Sequence, residues 1–87
     1  MAKFQLGRLL ATPGALREVG PDAIALALAR HLRGDWGDLG VEDRRANEHA
    51  LAGAGRILSA YHENGIKFYI ITEWDRSATT VLLPEEY

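Results

Sequence analysis

The stretch "RILSAYHENGIKFYIITEW", residues 56–74, decides the fold. Apolar and polar residues alternate on both sides of Asn64-Gly65, which is the period of a strand rather than of a helix. Asn-Gly accepts positive φ at both positions, as the type I′ turn of a two-residue hairpin requires. A hairpin with this turn has three predicted cross-strand pairs: Tyr61 with Phe68, Ser59 with Ile70, and Ile57 with Thr72.

The same alternation divides the hairpin into two faces. One face is expected to meet the core and carries Ile57, Tyr61, Ile66, Phe68, Ile70 and Trp74. The other face is mixed and carries Leu58, His62, Lys67, Tyr69, Ile71 and Glu73. Because Tyr69 and Ile71 lie on the mixed face, that face is a candidate for burial in a homodimer.

Outward from the hairpin, the chain predicts five more elements: strands over 3–11 and 79–83, one helical turn over 15–19, and helices over 21–33 and 41–53. Pro21 is suited to the first position of a helix and Gly34 to the position after its end. Gly40 is the expected N-cap of the next helix. The inward side of that helix is expected to be narrow and small: Ala46, Ala50 and Ala54.

The order of these elements predicts an α+β fold, β-α-α-β-β-β. In this fold a C-terminal three-stranded antiparallel meander packs on two helices. The first strand is expected to join an edge of the sheet. Since the chain has 87 residues, a single domain over 1–87 is predicted.

Composition narrows the classes of function. The net charge of −2 lacks the basic surplus of nucleic-acid binders, so a nucleic-acid partner is not expected. The absence of cysteine excludes disulfides and thiol chemistry and fits a reducing compartment. The longest apolar run, residues 23–29, is too short for a membrane span, and the N-terminus does not resemble a signal peptide. We expect a cytoplasmic protein without a membrane partner.

Two polar stretches are the candidate binding surface, the loop over 34–40 with its preceding helix end and the turn over 73–80. The candidate residues are His31, Asp35, Trp36, Asp38, Glu73, Trp74, Asp75, Arg76 and Thr79. Aromatic anchors rimmed by charge are typical of protein interfaces, and Trp36 and Trp74 would be those anchors if exposed.

The same residues also have purely structural interpretations. His31 lies on the inward side of its helix, where an imidazole is usually satisfied within the core. Asp35 is suited to closing a turn, and Trp36 to folding back on the helix end. In the second stretch, Asp75 and Ser77 are suited to building the turn, with Arg76 paired to Glu73 or to a loop acid.

A small hydrolase or nuclease is the alternative function. His31, Asp35, Glu73 and Asp75 would supply an acid, a base and oxygen ligands for a divalent cation. This hypothesis requires the two stretches to converge around one pocket. The histidines lack metal-ligand spacing and residues 35–43 do not match a calcium loop, so no metal or other cofactor is predicted.

Three segments resemble a family of small uncharacterised bacterial proteins: "ATPGAL" at 11–16, "RHLRGDWGDLGVEDRRAN" at 30–47 and "IITEWDRSATTVLLPEEY" at 70–87. Members occur on plasmids and other mobile elements and are often labelled plasmid-related or type I restriction subunits. The resemblance covers residues 7–87 and implies a bacterial accessory protein without an established activity. The residues contain no methyltransferase or nuclease motif that would support the restriction label.

The favoured interpretation is a non-catalytic protein-interaction module, with a protein partner or a second copy of the chain as its ligand. Direct nucleic-acid binding through Arg30, Arg33, Arg44 and Arg45 is a weaker alternative, because twelve acidic residues dilute that basic patch.

Overall fold

A four-stranded mixed sheet with three helices forms the framework of the computed structural model, which describes residues 2–87. The elements are β1 (Arg8–Ala11), α1 (Pro13–Glu18), α2 (Pro21–Leu32), α3 (Val41–Ala52), β2 (Ile57–Glu63), β3 (Ile66–Thr72), β4 (Ala78–Leu82) and a 3-10 helix (Pro84–Glu86). The strand order is β1-β4-β3-β2, with β1 parallel to β4 and the other pairs antiparallel. The predicted α+β class and the meander on helices are confirmed.

The central hairpin has the predicted turn and register. Asn64 and Gly65 adopt φ of 51° and 80°, as a type I′ turn requires. All three predicted cross-strand pairs occur, including Tyr61 with Phe68. Since side chains alternate along a strand, this register decides which residues of β2 and β3 meet the helices.

The helices cover one face of the sheet, which we call the inner face. One core cluster on this face joins helix and strand residues: Ala15, Ile24, Ala27, Tyr61, Phe68, Ile70, Val81 and Leu83. A second cluster joins Trp36 and Ala50 to Ile57. All strand residues of both clusters belong to the inner face. No helix among the described residues is both long and apolar enough to cross a membrane.

Three strands differ from prediction in their boundaries, and β4 is shifted by one residue, to Ala78–Leu82 from 79–83. The first strand begins at Arg8 rather than at residue 3, because Gly7 has a φ of +66° and its Cα lies against the backbone of Arg76 and Ser77. The placement of Trp74 on the inward face is wrong. β3 ends at Thr72, so Trp74 falls in the following turn and is 63% exposed.

The inward side of α3 also differs from prediction. Ala46 and Ala54 are exposed, and the buried residues of the helix are Asn47 and Ala50. The Asn47 amide nitrogen donates to the carbonyl of Leu58 at 2.7 Å, and the Leu58 N–H donates back to the amide oxygen at 3.0 Å. α3 therefore docks on the edge of β2 through a polar side chain, which apolar periodicity does not detect.

Candidate functional site

His31 lies in a buried chain of hydrogen bonds and has no exposed surface. Its Nδ1 is 2.6 Å from Ser59 Oγ and its Nε2 is 2.9 Å from Thr72 Oγ1. Thr72 Oγ1 is 2.7 Å from Thr79 Oγ1, and Thr79 donates to the carbonyl of Leu6 at 2.7 Å. The predicted core role of His31 is confirmed. As surface residues, His31 and Thr79 were wrongly predicted, because both are fully buried.

The Leu6 carbonyl, at the end of this series of hydrogen bonds, determines which hydroxyl donates and which accepts in the bonds before it. The Leu6 carbonyl can only accept, so Thr79 uses its one proton there and must accept from Thr72. Thr72 in turn accepts from His31 Nε2–H. Burial lowers the pKa of His31 to about 4, so the ring is neutral at neutral pH and its unprotonated Nδ1 accepts from the Ser59 hydroxyl.

The loop over 34–40 lies along the edge of β2. The Ala60 N–H donates to the carbonyl of Trp36 at 3.1 Å, and the Asp38 N–H donates to the carbonyl of Ala60 at 2.7 Å. The Trp36 ring packs on Phe4 and His31, and the side chain is 2% exposed. The exposed anchor considered for Trp36 is therefore wrong, because the ring closes the core behind the loop.

The acids of this loop have local partners. Asp35 forms a two-pronged ion pair with Arg30, at 2.7 and 3.2 Å, and accepts from the Gly37 N–H. The Arg30 guanidinium holds the pKa of the Asp35 carboxyl below its usual range. Asp38 is exposed, with its carboxylate 3.5 Å from Nδ1 of His62. Asp35 thus closes the predicted turn, and Asp38 remains accessible.

Arg76 ties the turn before β4 to the end of α3. Its guanidinium donates to four carbonyls, those of Gly55, Ala50, Glu73 and Trp74. The expected ion pair of Arg76 with Glu73 or with a loop acid is wrong, because the carbonyls at a helix end and in a tight turn need donors. Asp75 accepts from the Ser77 N–H at 3.0 Å, which confirms the turn-building role.

The candidate catalytic residues are not brought together. His31 is bonded to Ser59 and Thr72, Asp35 to Arg30, and Asp75 to the backbone of its own turn. An acid and a base that share a substrate must lie within hydrogen-bond reach of it. Among residues 2–87, no group of three potential metal-binding side chains lies together.

The opposite face of the sheet, which we call the outer face, is mostly apolar. Its apolar strand positions are Leu10, Leu58, Ala60, Tyr69, Ile71, Ala78 and Leu82. Its polar positions are Arg8, His62, Lys67 and Thr80. Leu10 is 41% exposed. Ala60, Ile71 and Leu82 are already buried within the chain, so the apolar surface that this face still offers lies at Leu10 and at the half-buried Leu58, Tyr69 and Ala78.

Two tyrosines and two cationic side chains lie together on the outer face. The Tyr69 and Tyr87 rings meet edge to face with centroids 6.2 Å apart. The Arg56 guanidinium lies 5.5 Å from the Tyr87 centroid, and Lys67 Nζ lies 5.5 Å from the Tyr69 centroid. No acidic residue occupies a strand position of this face. The strand positions of the outer face therefore carry two cations, Arg8 and Lys67, while the exposed Asp38 carboxylate lies 3.5 Å from His62 of the same face.

Sequence reasoning found only part of this face. The mixed face of the hairpin contained Tyr69, Ile71 and Lys67, but Leu10 and Tyr87 were missed. Side chains alternate between the two faces along residues 8–11, so Leu10 can be assigned to the outer face once this strand is placed beside β4. Tyr87 had no signal, because it reaches the face only after the 3-10 helix turns the chain back.

Searches of protein-family models, curated proteins and solved structures found no match to this chain. The candidate site is therefore defined by the geometry of this chain.

Proposed function

We propose that the protein is a non-catalytic protein-interaction module that binds its partner through the outer face. The observation that supports this is a sheet face that no α-helix covers, bearing the tyrosine pair, the half-buried Leu58 and an exposed Leu10. Aromatic side chains around an apolar centre are typical of the cores of protein interfaces. Of the residues predicted for the binding surface, Asp38, Trp74 and Asp75 are exposed and Glu73 is half-buried, so these four stay candidates.

The charge of the face favours a partner segment that carries both acidic and apolar side chains. Arg8, Arg56 and Lys67 are exposed cations of this face. Its accessible apolar residues are Leu10, Leu58 and Tyr69, because Ile71 and Leu82 are already buried. Complementary charge steers association, and burial of the accessible apolar residues stabilises the complex. The Tyr69 and Tyr87 rings pack on one another, and Lys67 and Arg56 lie near them. The faces of the two rings are therefore less open for stacking on nucleic-acid bases.

The resemblance adds a biological setting to this proposal. We infer from it that the protein is a bacterial accessory protein of plasmids or other mobile elements and that it acts in the cytoplasm. A hydrolase remains the alternative function, but no contact in the described residues favours it.

Affinity capture with matched variants tests the proposed surface. The bait is the wild-type protein, a Tyr69→Ser variant, or a Leu26→Ser control, since Leu26 is 72% exposed on α2. Each variant is first checked for wild-type thermal unfolding. We expect a stoichiometric partner that the control retains and Tyr69→Ser loses, and whose binding weakens as salt is raised.

Two outcomes would overturn the proposal. A partner that Tyr69→Ser retains at wild-type affinity would show that the outer face is not the binding surface. The absence of any partner, together with turnover of phosphodiester or ester substrates by the purified protein, would favour the hydrolase.

A further inference from the structure

The two edge strands of the sheet, β2 and β1, differ in whether other segments of the chain bond to their outward backbone groups. Along β2, the backbone groups of alternate residues point away from β3, and two of these residues have partners. Leu58 is bonded to the side chain of Asn47, and Ala60 is bonded to the backbone of Trp36 and Asp38. Such partners prevent an edge strand from pairing with other chains.

The edge formed by β1 has no comparable cover. The Arg8 N–H donates to the Ser77 carbonyl and the Thr12 N–H donates to the Val81 carbonyl. In a parallel ladder, the peptide groups of alternate residues point to the same neighbouring strand, so those of Arg8, Leu10 and Thr12 point to β4. The peptide groups of Leu9 and Ala11 therefore point outward.

Nothing else in the described chain bonds to these outward peptide groups. Leu9 is 52% exposed and Leu10 is 41% exposed. β1 also contains no proline and no acidic residue, so its shortness is its main protection against pairing.

We propose that β1 pairs antiparallel with β1 of a second copy of this chain, which joins two four-stranded sheets into one. In the pairing centred on Leu10, Leu9 lies opposite the partner's Ala11, and Ala11 lies opposite the partner's Leu9. Each of these residues then donates one main-chain hydrogen bond and accepts one. The outward groups of both strands are satisfied by this arrangement.

The neighbouring residues select this register over its alternatives. Centring the pair on Leu9 would place Ala11 opposite the partner's Gly7, where a φ of +66° has already turned the chain away. Centring it on Ala11 would place Leu9 opposite the partner's Pro13, which has no N–H and belongs to α1. The register centred on Leu10 also places Arg8 opposite the partner's Thr12, so like charges do not oppose one another.

This pairing has a consequence for the outer face. The two-fold axis of an antiparallel strand pair runs perpendicular to the sheet, so both outer faces lie on the same side. Leu10 meets the partner's Leu10 on the axis, and the two faces become continuous. The dimer does not depend on the proposed partner, and it would form even if the outer face bound nothing else.

Disulfide cross-linking tests the pairing directly. The chain contains no cysteine, so Leu10→Cys supplies a single thiol. Opposed residues of a non-hydrogen-bonded pair have Cα atoms about 4.5 Å apart, which a disulfide can span. We expect Leu10→Cys to form a disulfide dimer rapidly under a mild oxidant, whereas Arg8→Cys and Leu26→Cys do not. Equal cross-linking of all three variants, or none for Leu10→Cys, would overturn the proposed register.

Sedimentation equilibrium provides the second measurement. The wild-type protein is expected to dimerise as its concentration is raised. Leu10→Lys places two ammonium groups opposite one another and should weaken the dimer about tenfold or more, whereas Leu26→Lys should not. A wild-type protein that stays monomeric at millimolar concentration, or a folded Leu10→Lys variant that dimerises normally, would show that β1 is not the interface.

Discussion

At the scale of single residues, three residues of the predicted binding surface, His31, Trp36 and Thr79, lie in the interior. His31, Trp36 and Thr79 are polar or amphipathic side chains whose hydrogen-bonding groups all have partners. No buried side-chain nitrogen or oxygen among the described residues lacks a partner. Since an unpaired buried polar group is costly, this complete pairing makes the interior sensitive to protonation and to the loss of one hydroxyl.

Stability is predicted to fall on mild acidification because of His31. Its pKa of about 4 in the folded protein lies below the ordinary 6.5. At a pH between these two values, His31 therefore binds a proton in the unfolded chain but not in the folded protein. The stability that neutral His31 contributes to the folded protein is present above the pKa of the unfolded chain. It is lost as the pH falls towards the pKa of the folded protein. From about pH 7 to about pH 5 this costs roughly 2 kcal/mol.

Urea unfolding over this pH range measures the effect. A His49→Gln variant is the control for the loss of a histidine, since His49 is exposed on α3. A free energy of unfolding that stays constant over the range would contradict the assigned state of His31.

Removal of the Thr72 hydroxyl tests the direction of the proton chain. Thr72→Val leaves His31 Nε2–H without an acceptor and Thr79 without a donor, which should cost about 1–3 kcal/mol. The matched control is Thr80→Val on the outer face, where we expect a change within about 0.5 kcal/mol. Equal urea midpoints for both variants would show that the chain of hydrogen bonds contributes little.

At the scale of elements, the edge of β2 is the feature that organises the molecule. α3 and the loop over 34–40 both dock on this edge by hydrogen bonds, so two segments from different parts of the chain share one strand. Edge protection and tertiary packing are thus achieved by the same contacts.

Asn47 is predicted to be the most sensitive residue of α3. Asn47→Ala removes both bonds to Leu58 and leaves the half-buried peptide groups of Leu58 unpaired, with an expected loss of about 2 kcal/mol. Arg45→Ala on the exposed side of α3 is the control. Denaturant unfolding compares the two, and aggregation should increase in Asn47→Ala as the β2 edge opens. An Asn47→Ala variant as stable as the control would contradict the docking.

Gly37 allows the loop to approach β2. Its φ is +74°, and an added Cβ would overlap the carbonyl oxygen of Ala60. Gly37→Ala should therefore cost more than about 1 kcal/mol in thermal or urea unfolding. At Gly40 φ is −72° and the space is open, so Gly40→Ser should be neutral or slightly stabilising as a better N-cap. A tolerated Gly37→Ala would mean that the loop can lift from the strand.

At the scale of the whole molecule, the proposed dimer predicts a stability that depends on concentration. If folded chains pair through β1, the thermal midpoint of the wild-type protein should rise with protein concentration, because association favours the folded state. The midpoint of Leu10→Lys should not. Parallel dependence in both proteins would assign the effect to another surface.

Most of the elements and the hairpin register could be predicted because they depend on neighbours in the chain. Asn64-Gly65 determines a turn by its own backbone preference, and Pro21 and Gly40 mark helix starts for the same local reason. The candidate site could not be predicted in this way. Whether Trp36 lies on the surface depends on Phe4 and Ile57, which are far away in the chain.

The sequence by itself determined the α+β class, the helices and strands, and the pairing of β2 with β3. Only the tertiary structure decided that β1 joins β4 in parallel, that His31 is bonded to Ser59 and Thr72, and that no α-helix covers the outer face. The physical reason is distance along the chain. Local conformations are set within a few residues, whereas burial and hydrogen bonding join residues such as His31 and Thr72, or Thr79 and Leu6, that meet only when the chain is folded.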